Sequence, residues 1–183
     1  MKFPQIFAGL LLVCTFTFGQ TKSLTTLPTG FYLEGITTNI KTTLSSKHNK
    51  LFEAFKVAEL EDILGMSGPF TVFAPTNSAF DKFSSEEIKD LFKKENRMKL
   101  KSMLTYHMVA GELTASKILM ALCRGNGKAS FTTVQGNKIY ASFQGVDIVL
   151  TDGLGNQAKI TAADAEQSNG VIHQIDDVIS SGF

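Results

Sequence analysis

The sequence predicts an α+β domain, on three observations. Apolar residues recur at helical spacing as far as about residue 125. From Ser130 the period shortens toward two and β-branched and aromatic residues dominate. Gly136-Asn137, Gln144-Gly145 and Asp152-Gly153 then punctuate that second half as turns. Helices followed by strands, rather than alternating with them, indicate α+β and not a parallel α/β sheet. The length of 183 residues suits one domain. With 43% hydrophobic residues, the chain can bury a core without metal or disulfide staples.

The N-terminus reads as a secretory signal over residues 1–19. Lys2 supplies the positive start, Ile6 to Phe18 the apolar run, and Thr17 and Gly19 the small residues before a cut ahead of Gln20. That run is 13 residues, too short for a spanning helix of roughly 20, and no later stretch is longer. Secretion, extracellular or periplasmic, follows as the expectation. Lipid anchoring through Cys14 is a minor alternative, because Val13 replaces the small residue that usually precedes a lipidated cysteine. Cleavage at Gln20 leaves Cys123 as the one cysteine, so no internal disulfide forms. Cys123 reads as a small buried hydrophobe, with an exposed thiol as the alternative.

Residues 20–35, rich in Thr, Ser, Pro and Gly, form a tether. The domain then spans residues 36–183. Ile36 to Leu64 is helical in pattern, with Leu51, Phe55 and Ala58 on one face. Phe70 to Ala74 is a compact strand that Pro75 ends, since proline donates no ladder hydrogen bond. Thr76 or Asn77 caps a short helix through Phe80 and Phe83. Ser84 with Glu87 has capping-box spacing, and Asn96 and Thr114 are positioned to cap two further helices. Leu100, Met103, Leu104, His107 and Met108 form a stripe at i, i+3, i+4, i+7 and i+8, which places His107 inside. The strand candidates beyond are Phe131–Val134, Lys138–Phe143, Val146–Leu150, Lys159–Ala162 and Gly170–Ile175.

A net charge of +1 gives no field that would draw nucleic acid or an acidic membrane. Gly65-Met66-Ser67-Gly68-Pro69 lacks the second glycine of a hydrolase elbow at the required place. His48, His107 and His173 lack the i, i+4 spacing of a zinc protease. Asp152 to Asn156 opens like a calcium loop, but Leu154 offers no side-chain oxygen and no closing glutamate follows. Asp176 and Asp177 are neighbours in sequence, which does not oppose them as an acid/base pair. The expectation is a non-enzymatic protein with no metal and no cofactor.

Three stretches carry a resemblance. Gly68-Pro-Phe-Thr-Val-Phe-Ala-Pro-Thr-Asn-Ser-Ala-Phe80 resembles the first signature motif of the fasciclin domain. Leu104-Thr-Tyr-His-Met-Val-Ala-Gly111 resembles its tyrosine–histidine motif, and Asn169-Gly-Val-Ile-His-Gln-Ile-Asp-Asp-Val-Ile179 its second signature. Order and separation match from about Ile36 to Ile179. The resemblance implies a wedge of two β-sheets with helices packed along one side. It makes Phe73, Pro75, Thr76, Asn77, Phe80, Asn169, Gly170, Ile172 and His173 structural, with Phe73, Phe80 and Ile172 as core anchors. It implies cell adhesion or matrix association, the partner being a cell-surface or matrix protein or a polysaccharide, and carries partner binding to Tyr106 and His107. Tyr106 lies about 100° around the helix from His107, so one flat surface would not use both equally. The second reading, from pigment carriers of similar type, is a carrier of a small apolar ligand such as a carotenoid.

Overall fold

The computed structural model describes residues 38–180. The signal, the whole tether and Cys14 lie outside them. Six α-helices precede most of the sheet: α1 (Ile40–Lys47), α2 (Asn49–Val57), α3 (Asn77–Phe80), α4 (Ser85–Leu91), α5 (Arg97–Tyr106) and α6 (Ala115–Arg124). The strands are β1 (Phe70–Pro75), β2 (Met108–Ala110), β3 (Lys128–Thr132), β4 (Lys138–Gln144), β5 (Asp147–Thr151), β6 (Gln157–Gln167) and β7 (Gly170–Ile175). Their order is β2-β1-β7-β6-β5-β4-β3. All pairings are antiparallel except β1 with β7.

The α+β class and the two-sheet wedge of the sequence reading are both present. Strand β6 belongs to both sheets. Its first residues pair with β5, and the remainder pairs with β7 through register shifts between Ile160 and Ala165. Such bulges bend a strand and increase its twist. The bend brings the two ends of the sheet together, where Val109 on β2 bridges Thr133 beyond β3 and the Val134 N–H donates to Met108 O at 2.7 Å. The sheet is nearly a closed barrel.

Several elements differ from the sequence reading. The helix expected over 36–64 is two helices broken at His48, which takes φ −127° and ψ 54°. Its ring Nδ1 bonds Pro75 O at 3.0 Å, and that tertiary bond replaces helical continuity. The α5 stripe ends sooner than its period suggests. The helix stops at Tyr106, and Met108 begins a strand that the stripe concealed. Strand β3 starts at Lys128 and ends at Thr132 rather than running 131–134, and β6 extends well past the expected Lys159–Ala162. Asn96 makes no side-chain cap; its amide nitrogen donates to Asp90 O and Oδ2. Thr76 and Thr114 do cap, and Ser84 with Glu87 closes the capping box. Cys123 is exposed on α6, since Ile118 and Leu122 occupy the buried stripe.

Two apolar cores result. One lies between the helical layer and the sheet, built on Leu51, Phe55, Leu100, Leu104 and Ile172. The other lies inside the wedge under α6, built on Phe73, Tyr106, Ile118, Ile139 and Ile175. Phe80 is also buried, at 3% exposure.

The β1–β7 pair that divides these cores needs glycine at its start. Gly170 has φ +145°, and a Cβ there would meet Phe70 O at 1.8 Å. Asn169 beside it clamps three elements. Its Oδ1 accepts from Ile40 N–H at 2.9 Å, and its Nδ2 donates to Leu64 O and Met66 O at 2.9 and 3.1 Å. Gly136, by contrast, has φ +100° with nothing near its would-be Cβ. Urea unfolding should therefore find Gly170→Ala destabilised by about 3–5 kcal/mol. Gly136→Ala should lose only about 1–2 kcal/mol of backbone strain. Equal losses would mean the close approach is not what requires Gly170.

Candidate functional site

Tyr106 and His107 sit where α5 ends and β2 begins, and the structure places both side chains fully inside. They point into different surroundings. The Tyr106 hydroxyl donates to Lys138 O at 2.8 Å, tying α5 to the start of β4. Burial raises its pKa, with the nearby Asp152 carboxylate acting in the same direction. His107 Nδ1 lies 2.8 Å from Met103 O. A carbonyl only accepts, so Nδ1 carries the proton and Nε2 is free to accept. It does so from Ile179 N–H at 3.4 Å. Neither side chain offers surface to a partner in this conformation.

Asp152 completes this corner. Its Oδ1 accepts from the N–H groups of Leu154 and Asn156 at 2.9 and 2.8 Å. Its Oδ2 accepts from the Asn156 amide and from Ser180 N–H, both at 2.9 Å. The residues that opened like a calcium loop thus spend their carboxylate on a turn and on fixing the C-terminal segment. Among the described residues, no group of three or more metal-ligating side chains comes together.

The other two histidines follow the same logic. His173 donates from Nε2 to Leu113 O at 2.7 Å, accepts at Nδ1 from Asp164 N–H at 3.2 Å, and stacks on Phe73 with centroids 5.6 Å apart. All three rings are buried and bonded to backbone. Burial lowers the pKa of each, and His107 is pushed down to about 4. These are interior struts that hold a proton at one nitrogen only.

Exposed side chains lie elsewhere, on the outer face of β3, β4 and β5. Along β4, Ile139 and Ala141 face inward while Lys138 and Tyr140 face out. Tyr140 is 49% exposed, opposite Ser130 on one side and Thr151 on the other. Thr132 lies opposite Lys138. The Thr133 N–H bonds Asn137 O at 2.9 Å, and antiparallel alternation then turns the peptide groups of Ser130 away from β4, toward the sheet edge. Strand β2 meets that edge at Thr133 and pairs with none of Lys128–Thr132. Gly111, at φ +93°, turns the chain away, and Thr71 Oγ1 holds it by donating to Gly111 O at 2.7 Å and accepting from Leu113 N–H at 2.8 Å. Sequence reasoning missed Tyr140. Its alternation with Ile139 and Ala141 was the available signal, since a large aromatic on the outward parity of a half-buried strand is notable.

The α+β wedge with its helical layer and near-closed sheet can be set beside proteins of known fold. The Fasciclin domain model matches residues 46–181, and the chain belongs to that family. Protein sll1483 of Synechocystis sp. is 38% identical over 130 residues, covering 70% of this chain and 64% of the relative. The cell surface glycolipoprotein MPB83 of Mycobacterium bovis is 30% identical over 116 residues, covering 61% of this chain and 44% of the relative. A solved FAS1 domain pair from the insect cell adhesion molecule Fasciclin I superposes with a TM-score of 0.55 at 28% identity, over 74% of this chain and 45% of that one. In each case the chain spans less than two thirds of the relative's length.

The buried histidines make a pH prediction. Below about pH 6.5 the unfolded chain binds protons at these rings, while folded His107 stays neutral until about pH 4. Stability is therefore full above pH 6.5 and falls as pH drops through that window, by about 3 kcal/mol from His107. His48 and His173 act in the same direction. Urea unfolding from pH 7.5 to 4 should show this slope. His107→Gln should reduce it, leaving the part due to His48 and His173, while lowering stability at pH 7.5 by about 1–3 kcal/mol; an unchanged slope would remove His107 as a source.

Proposed function

We propose that this protein is a secreted, non-enzymatic adhesion or interaction module that binds a cell-surface or matrix component through the outer face of β3–β5. The single observation that carries the reading is the half-exposed Tyr140 at the centre of an open sheet face in a fasciclin domain. Tyrosine is favoured at recognition surfaces because it offers a rigid apolar ring with a polar tip. Ser130, Thr132, Thr151 and Lys138 around it supply hydroxyls and one ammonium group, a set suited to a polysaccharide or a polar protein surface. Fasciclin I is a cell adhesion molecule by its description, and MPB83 is a cell surface protein, which supports the same class here. Tyr106 and His107 serve this module as interior supports. Tyr106 anchors the start of β4, which leads directly to Tyr140.

Binding of purified protein to its producer's cells and to envelope and matrix polysaccharide extracts tests the reading. Tyr140→Ala should weaken retention about tenfold or more, a loss of at least about 1.4 kcal/mol, with the melting temperature unchanged. His107→Ala should lower the melting temperature and leave residual binding per folded molecule intact. Loss of binding in a normally stable His107→Ala protein, with Tyr140→Ala unaffected, would move the contact to the tyrosine–histidine turn and sink this assignment.

A further inference from the structure

A groove of about 650 Å³ opens on the helical side of the molecule, remote in sequence from the β3–β5 face. Its floor is Phe80, Phe83, Ile88 and Phe92, from α3, α4 and the turns that follow them. Phe80 is buried, and the other three are half-buried, so the floor is apolar and partly open to solvent. The volume falls within the roughly 300–1,000 Å³ typical of small-molecule sites, which combine an apolar lining with a few polar groups at the rim.

The rim chemistry is selective. Lys50 is paired with Asp81, and Glu53 with Lys56 at 2.9 Å. Asn77 donates its amide to Asn49 at 2.9 Å and accepts from Lys50 N–H at 3.2 Å. These groups largely satisfy one another. Lys89, exposed on α4, also lines the groove, and it has no ionic partner among the described residues. One uncompensated cation beside an apolar floor complements one anionic head group joined to an apolar chain.

We propose that the groove lined by α2, α3 and α4 is a binding site for a small anionic amphiphile, a carboxylate with a hydrocarbon tail, with its head at Lys89 and its tail along Phe92, Ile88, Phe83 and Phe80. The site goes beyond the β3–β5 reading and stands or falls independently of it. Lys89 sets the preference for head-group charge, and the floor sets the dependence on chain length. Burying a methylene is worth about 0.8 kcal/mol, so two added methylenes tighten binding between about fourfold at half burial and about fifteenfold at full burial.

Isothermal titration of the full chain with octanoate, decanoate, dodecanoate and dodecyltrimethylammonium, all below micelle formation, tests the site. The expected result is saturable one-to-one binding of the carboxylates with that chain-length dependence, and at least tenfold weaker binding of the dodecyl cation. Lys89→Glu alters an exposed side chain and should keep the wild-type melting temperature. It should weaken dodecanoate at least tenfold and strengthen the cation. Three outcomes overturn the proposal: no saturable binding, equal affinity for the two head groups, or a dodecanoate affinity unmoved by Lys89→Glu in a folded protein. A chain-length series that stays flat in wild type removes the apolar floor from the site and overturns it as well.

Discussion

The parallel pairing of β1 with β7 is the constraint on which the rest of the molecule depends. Six consecutive residues of each strand face one another, from Phe70 with Gly170 to Pro75 with Ile175. The backbones approach at the first pair only because Gly170 has no Cβ. That register sets Val72 beside Ile172 and Phe73 beside His173, and so decides which side chains enter which core. Asn169 then transmits the position of the pair outward, since its amide bonds α1 and the turn around Leu64 and Met66. The helical layer is hung from the same residues that start the central strand.

Two cores on opposite sides of that pair need connection, and the polar interior supplies it. Tyr106, His107 and Met108 alternate across the junction. Tyr106 lies in the core under α6, Met108 in the core under the helical layer, and His107 joins α5 to the segment at Ile179. Asp152 holds the adjacent residue Ser180. A buried polar group is costly unless bonded, and no buried side-chain nitrogen or oxygen among the described residues lacks a partner. The tyrosine–histidine turn, with both side chains buried and bonded, thus joins the two cores.

The sequence made the class, the caps and the ends of β7 legible, because each has a local cause. Thr76, Ser84 and Thr114 cap helices through bonds to residues three further on. Gly170 begins a strand that Ile175 ends, as its pattern indicated. What escaped was set by distant partners. The break at His48 depends on Pro75 O, which no helical period reveals. Strand β2 hid in the α5 stripe because Met108 satisfies both i+8 on a helix and the inward parity of a strand. The length of β6 escaped because seven of its eleven residues are exposed, leaving no inward-facing apolar alternation to read, and its register is interrupted by bulges. The exposed tyrosine and the groove escaped for a related reason. Local pattern ranks apolar residues for burial but does not say which of them a finished fold leaves uncovered.

The shared strand β6 and the central β7 also decide how the domain responds to tension. Thr38 O accepts from Ser168 N–H at 2.8 Å, so the described chain enters beside the turn where β7 begins. It leaves through Ile179 and Ser180, past the opposite end of β7. A pull applied between entry and exit runs along β7. Its ladders to β1 and β6 then bear the load together, sliding lengthwise, instead of opening one bond at a time like a zip. A tether anchored at both ends of this chain would meet its greatest mechanical resistance in the middle of the sheet.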